Sequence, residues 1–180
     1  MTTITAITGT NVTIDTEIET ITNTVIVHLR HQRSIRLLTF MILLPVGLED
    51  NENRLFLAFA ESFRGFLEFD RCAPICLWLQ DQVGGYRGYR CAWFLNDFPT
   101  LPVEGYLKIA TTIWRKTLGA SSSIGLIQRH LPDSKIKPCW NENLQAIDVG
   151  KRWVAEMRRR ANRVPDPRQA LQTFGAVHAY

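Results

Sequence analysis

The sequence is short of cysteine and lacks an apolar run long enough to cross a membrane. Four cysteines stand among 180 residues, too few for a chain of this size to be a disulfide scaffold. The most apolar run, Leu37 to Leu48, is interrupted by Thr39 and Pro45 and is far shorter than the roughly 20 residues that span a bilayer. No signal-peptide pattern is recognisable at the beginning of the sequence. We therefore expect a cytoplasmic protein with no membrane partner.

Positive charge is absent from the beginning of the chain. Residues 1–24 contain no Lys or Arg, although the whole chain has a net charge of +4. Residues 151–180 hold seven basic residues against Glu156 and Asp166. Because clustered Lys and Arg attract phosphates, this C-terminal region is the better candidate for contact with nucleic acid or an acidic protein surface.

The motifs of common enzyme and cofactor sites are missing as well. Gly84-Gly85 lacks the spacing of a phosphate-binding loop. Ser121 to Ser123 have no neighbouring pattern of His and carboxylate, and the Cys72–Cys76 spacing is one residue too long for a redox motif. We expect no enzyme, no cofactor and no metal.

The stretch that organises the sequence is Ile75 to Asn96, which predicts a β-hairpin with its turn at Gly84-Gly85. Side chains alternate between the faces of a strand, so each arm has one mostly apolar face and one mixed face. The mixed face is predicted to hold Trp78, Gln80, Arg90 and Asn96.

The segments around the hairpin predict an α+β fold. A strand is predicted from Arg36 to Leu44, a helix from Glu52, a second helix between Pro102 and Gly119, and a short strand from Ile124 to Gln128. With the hairpin, this order is β-α-β-β-α-β, which is typical of a ferredoxin-like sheet with both helices on one face. The other face of the sheet would then be open to a partner.

Three boundaries complete the predicted organisation. Residues 1–24 are rich in Thr and predict an arm or an edge strand. Residues 25–163 form the single α+β domain, and its last helix, from Asn141, ends in six basic residues between Lys151 and Arg163. Residues 164–180 are predicted to be a tail.

The second arm of the hairpin resembles the third strand of the RNA-recognition motif at Arg87, Gly88, Tyr89 and Phe94. In that family, aromatic side chains of this strand stack on bases. The sequence departs from the pattern at Arg90 and Cys91. This resemblance implies that Tyr89 points to the open face.

A second resemblance covers about residues 36–118. Leu77 to Asp81, Gly88 to Asn96 and Ile113-Trp114 are similar in spacing to the replication-initiator proteins of filamentous phages, which have a His-hydrophobe-His metal site. Gly88 and Arg90 stand where that family has its two histidines, and neither residue can bind the metal that nicking requires. This resemblance implies a binding surface without the nicking reaction, with Arg90 on the open face.

The cost of burying an unpaired arginine favours the second register. We therefore predict Tyr89 in the core and Arg90 on the open face near Trp78 and Gln80. The favoured function is non-catalytic nucleic-acid binding, with DNA rather than RNA, by a degenerate initiator-like domain of a phage or mobile element. The alternative is a protein-binding module that docks on a host or phage complex through the open face and the basic helix. The candidate binding residues are Trp78, Gln80, Arg87, Arg90, Arg158, Arg159, Arg160 and Arg163.

Overall fold

Helices and strands alternate along the described part of the chain. The computed structural model describes residues 14–31, 35–70, 72–96, 100–119, 127–128, 142–164, 166, 169–170 and 172–178. In chain order the elements are α1 (Ile14–His31), β1 (Ile35–Leu43), α2 (Arg54–Phe69), β2 (Ile75–Val83), β3 (Tyr86–Asn96), α3 (Val103–Leu118), β4 (Ile127–Gln128), α4 (Glu142–Ala161) and β5 (Phe174–His178). The predicted α+β class and the predicted hairpin are confirmed.

The strands form an antiparallel sheet in the order β4-β1-β3-β2-β5. In the hairpin, Trp78 pairs with Cys91 and Gln80 pairs with Tyr89. Directly paired residues project to the same face of a sheet, so Trp78, Gln80 and Tyr89 share one face. Arg90 pairs with Leu79 and belongs to the opposite face.

One face of the sheet is covered by α2 and α3 through a layer of aromatic side chains, here called the aromatic layer. Phe63 lies at its centre, with ring centroids 6.1 Å from Phe40, 5.8 Å from Phe59 and 5.1 Å from Trp93. The helical spacing of Phe56, Phe59, Phe63 and Leu67 places all four fully buried on the sheet side of α2. These four side chains form the apolar stripe by which α2 packs on the sheet.

The other face of the sheet is covered by α1 and α4 through an aliphatic layer. Its buried side chains include Ile18 and Leu29 of α1, Val149 and Met157 of α4, and Leu77 of β2. The prediction of an open sheet face is therefore wrong for the described part of the sheet. The physical reason lies in the strands, because Ile75, Leu77, Ala92 and Phe94 make this face apolar as well, and an apolar face must be buried.

The helix α1 corrects the interpretation of the Thr-rich segment from residue 14 onward. Ile18, Ile21, Val25 and Leu29 repeat at helical spacing and are buried against the sheet and α4. The Thr20 and Thr22 hydroxyls donate to the carbonyls four residues earlier, so both side chains are satisfied inside a helix. Residues 1–13, the first part of the predicted arm, lie outside the described residues.

The strand β5 corrects the predicted tail. Phe174 to His178 pair antiparallel with β2, from Leu79 to Ile75, and extend the sheet beyond the hairpin. The backbone of β5 lies against the Trp78 ring at Gly175, where an added β-carbon would be 2.8 Å from that ring. The residues after 163 therefore contribute a strand to the sheet and part of its core.

Candidate nucleic-acid interface

The exposed side of α4 carries a row of cations, here called the basic ridge and made of Lys151, Arg152, Arg158, Arg159 and Arg163. All five side chains are exposed. Lys151 and Arg158 are seven residues apart, as are Arg152 and Arg159, and seven residues are close to two helical turns, so these cations lie on one side of the helix, with Arg163 just past its last turn. The apolar residues between them, such as Val154 and Met157, are buried against the sheet and α1. Packing of the apolar face thus fixes which way the cations point.

Arg160 belongs to the same basic run but anchors the helix to the sheet. Its Nη1 donates to the Gln80 carbonyl, its Nη2 lies 3.6 Å from Asp81, and its Nε donates to Glu156 at 3.0 Å. These contacts engage the guanidinium of Arg160 within the protein. Arg160 therefore positions the C-terminal end of α4 on β2.

Arg90 lies beneath α4 on the face that was expected to be open. Its Nη2 is 3.2 Å from Asp81, and its guanidinium lies 5.6 Å from the centre of the Trp153 ring. Burial lowers the pKa of Arg90, Asp81 opposes that shift and Arg160 adds to it. The prediction that Arg90 is accessible beside Trp78 and Gln80 is wrong, because those two residues occupy the other face.

Trp78 is buried in the aromatic layer and is unavailable to a base. Its ring lies 5.1 Å from Phe56 and 5.9 Å from Tyr89, and only 5% of the residue is exposed. Gln80 is half-buried on the same face and donates to the Asn53 side-chain oxygen at 2.9 Å. Both are therefore held by contacts inside the protein.

Tyr89 is fully buried, as predicted, and joins a polar network that the sequence did not reveal. Its hydroxyl donates to Asp50 at 2.8 Å and lies 2.9 Å from the side-chain oxygen of Asn53. Burial raises the pKa of Tyr89, and the hydrogen bond to Asp50 raises it further. Asp50 also accepts hydrogen bonds from the Leu55 and Phe56 backbone N–H groups at 2.8 and 2.9 Å, in the first turn of α2.

Asn53 connects this network to the segment before β5. Its side-chain N–H donates to the Gln172 carbonyl at 2.9 Å, and the residue is 6% exposed. Its φ of 58° lies in the left-handed region, which is uncommon for a residue other than glycine. The sequence carries one signal for this geometry, because Asn tolerates the left-handed region better than most residues.

A polar cleft of about 630 Å³ opens where the network reaches the surface. It lies between the turn end of the hairpin, the beginning of α2, the end of α4 and the residues before β5. Four predicted site residues line it: Gln80, Arg87, Arg160 and Arg163. Its lining also includes the carboxylates of Glu49, Asp50, Glu52, Asp81 and Glu156. Three of these carboxylates pair with arginines outside the lining, Glu52 with Arg54, Asp81 with Arg90 and Glu156 with Arg159, so the cleft holds charge of both signs that is largely compensated.

The predicted site residues thus fall into three places. Arg158, Arg159 and Arg163 share the basic ridge with Lys151 and Arg152, two members of the basic run that were not among the candidate binding residues. Gln80, Arg87 and Arg160 lie with Arg163 around the cleft. Trp78 and Arg90 lie apart, in the aromatic layer and beneath α4.

The packing of β3 against β1 leaves no room for a side chain at Gly88. A β-carbon added there would lie 2.0 Å from the Ile42 carbonyl oxygen of β1. A histidine at this position would therefore require β1 to move. Among the described residues there is also no group of three His, Cys, Asp or Glu side chains that could hold a metal ion.

No protein-family model, curated protein or solved structure matches this chain. In the described residues, no helix is both long and apolar enough to traverse a membrane. The chemistry of the basic ridge and its surroundings is therefore the basis for assigning a function.

Proposed function

We propose that this protein binds nucleic acid through the basic ridge of α4, without cutting it. The observation that carries the proposal is the exposure of five cationic side chains on one side of a helix whose opposite side is buried. Nucleic acids present a regular row of phosphates, and each cation that neutralises one releases a condensed counterion. A row of cations held in place on a helix is complementary in charge to such a row of phosphates.

The charge of the ridge is little compensated by the protein. Asp148 is an exposed carboxylate at its N-terminal end, and Glu156 pairs with both Arg159 and Arg160. For Lys151, Arg158 and Arg163, the described part of the chain shows no ion pair, so their charge is available to an external anion. An exposed, unpaired cation also loses little hydration when it meets a phosphate.

We also propose that the sheet is a ferredoxin-like unit with additions. The antiparallel order β4-β1-β3-β2, with α2 and α3 on one face, supports this interpretation. The additions are β5 at one edge and the pair α1 and α4 on the other face. The proposed ancestry in a phage or mobile-element initiator depends on the spacing of Leu77 to Asp81, Gly88 to Asn96 and Ile113-Trp114. In this proposal the nucleic acid binds to α4, because helices cover both faces of the sheet.

Two variants with equal charge test the proposal. The ridge variant carries Lys151→Gln, Arg158→Gln and Arg163→Gln, and the control carries Lys108→Gln, Arg115→Gln and Lys116→Gln on the exposed side of α3. Each variant removes three positive charges, and the two sets lie on different helices. Binding of a fluorescent DNA duplex is measured by anisotropy over a range of salt concentrations.

We expect the ridge variant to bind more weakly and to flatten the salt dependence by roughly 0.9 in slope for each phosphate that it no longer neutralises. The control is expected to retain nearly the wild-type slope. Equal losses of affinity in the two variants would show that net charge alone drives binding and would refute the role of the ridge. A wild-type protein that binds no nucleic acid at low salt would favour the alternative, docking on another protein.

A further inference from the structure

We infer that the ligand of the basic ridge is the sugar-phosphate backbone of a duplex, held without stacking on bases and without reading their edges. This inference rests on the proposed function and names the class of nucleic acid. It follows from what surrounds the five cations, from how α4 is packed, and from the length of the ridge.

Base stacking needs an exposed aromatic side chain near the phosphate track. Among the described side chains, the exposed positions between and beside the cations are Asp148 and Ala155 of α4 and Asn162 just after its end. Trp153, the aromatic residue of this helix, is turned under the ridge and contacts the guanidinium of Arg90. Among the described residues, the exposed aromatic side chains are Phe69 and Tyr86, which belong to α2 and to the turn end of β3. The ridge therefore offers charge and no stacking surface.

The packing of α4 against α1 limits how deeply α4 can enter the major groove. A β-carbon at Gly150 would lie 3.4 Å from Leu29 and 3.6 Å from Val25, so the two helices are in close contact. Packed helices are about 8–10 Å apart, and each is about 10–12 Å wide with its side chains. The major groove is about 12 Å wide and admits one helix, so α4 can enter it only as far as α1 stays clear of the phosphates. The cations of α4 can reach the phosphates that border the groove while the helix remains above it.

The length of the ridge suits several phosphates of a duplex. From Lys151 to Arg163 the chain advances about 18 Å at 1.5 Å per residue. A duplex carries a negative charge about every 1.7 Å along its axis, which places roughly ten phosphates within that length. A flexible single strand offers fewer phosphates in reach and gains nothing from stacking on this surface.

Competition between nucleic acids tests the inference on the full chain. The probes are two DNA duplexes of unrelated sequence and about 20 base pairs, an RNA duplex, and oligo-dT of equal length, all longer than the ridge. Affinities are compared at one salt concentration, with Tyr86→Ala as a variant that removes the aromatic residue next to Arg87. The RNA duplex shows whether the geometry of the backbone matters in addition to its charge.

We expect both DNA duplexes to bind with affinities within about threefold of each other, oligo-dT to bind about tenfold more weakly, and Tyr86→Ala to leave duplex affinity unchanged. Oligo-dT binding as tightly as duplex, or a loss of about tenfold in Tyr86→Ala, would show that bases stack on the protein and would overturn the inference. A preference of more than about tenfold between the two DNA sequences would reveal base reading and overturn it too. In each of these cases the proposed function survives, whereas the absence of binding to all four probes would refute the proposed function itself.

Discussion

The two faces of the sheet are packed with different types of side chain. On the side of α2 and α3, the largest fully buried side chains are aromatic: Trp93, Trp114, Tyr89, Tyr106, Phe40, Phe56, Phe59 and Phe63. On the side of α1 and α4, the buried residues are mainly Ile, Val, Leu and Ala, with Phe94 and Phe174 as the aromatic members. Arg90, Arg160 and the basic ridge all lie on the side of α4.

This difference separates stability from binding. Large aromatic side chains bury the most area per residue, so the aromatic layer is expected to contribute most of the packing energy. The aliphatic layer holds α4 in place with smaller side chains and leaves its outer side to the cations. Variants in the two layers should therefore differ in what they change.

The largest effect is expected from Phe63→Ala. The substitution removes a fully buried ring that contacts Phe40, Phe59 and Trp93, and a cavity of this kind costs about 3–5 kcal/mol. Chemical denaturation measures the free energy of unfolding. At a temperature where the variant is folded, its affinity for nucleic acid should equal that of the wild type. A loss of affinity in the folded variant would contradict the separation of stability and binding between the two faces.

A smaller effect, dependent on pH, is expected from Tyr89→Phe. Loss of the hydroxyl removes the buried hydrogen bond to the Asp50 carboxylate and the contact with Asn53, which costs about 1–3 kcal/mol at neutral pH. Because the pKa of Tyr89 is raised in the folded state, its contribution is fully present below the unfolded pKa of about 10 and is lost as the pH rises above that value. Above about pH 10, the wild type should lose stability more steeply than the variant, by about 1.4 kcal/mol per pH unit.

The measurement for Tyr89 is a series of denaturation curves from neutral to alkaline pH. Tyr106→Phe serves as a comparison in the same layer, because burial and the bond to Asp70 raise the pKa of Tyr106 to about 12. Its contribution should be lost between about pH 10 and that value. A constant difference between wild type and Tyr89→Phe at all pH values would contradict the buried, protonated hydroxyl.

The smallest effect, with the opposite sign, is expected from Gly150→Ala. The added methyl group would meet Leu29 and Val25 of α1 at ordinary van der Waals distances. Since glycine disfavours a helix interior, the variant should gain about 0.5–1 kcal/mol of stability and keep its affinity for nucleic acid. Thermal unfolding measures the gain, and destabilisation would show that α1 and α4 are packed more tightly than the aliphatic layer indicates.

Local patterns predicted much of the central fold. The hairpin turn has Gly84 and Gly85 at φ of 58° and 84°, which glycine adopts without strain. The end of α3 at Gly119 and the burial of Tyr89 were also predicted, because each depends on neighbouring residues or on a single strand's alternation. The polar network around Asn53 could not be predicted, since the hydrogen bonds that join Asn53 to Gln80, Tyr89 and Gln172 span 27 to 119 residues of the chain.

By itself, the sequence determined the type of most elements, the direction of the apolar stripe on α2 and the presence of a basic run after Lys151. Those features depend on residues a few positions apart, where the helical and strand periods act directly. Only the tertiary structure decided that both faces of the sheet are covered, that Arg90 lies under α4, and that Arg160 anchors the helix while Arg158 and Arg163 remain exposed. These features depend on which distant segment packs against the sheet. The burial of apolar area from the whole chain determines that packing, and no local sequence pattern does.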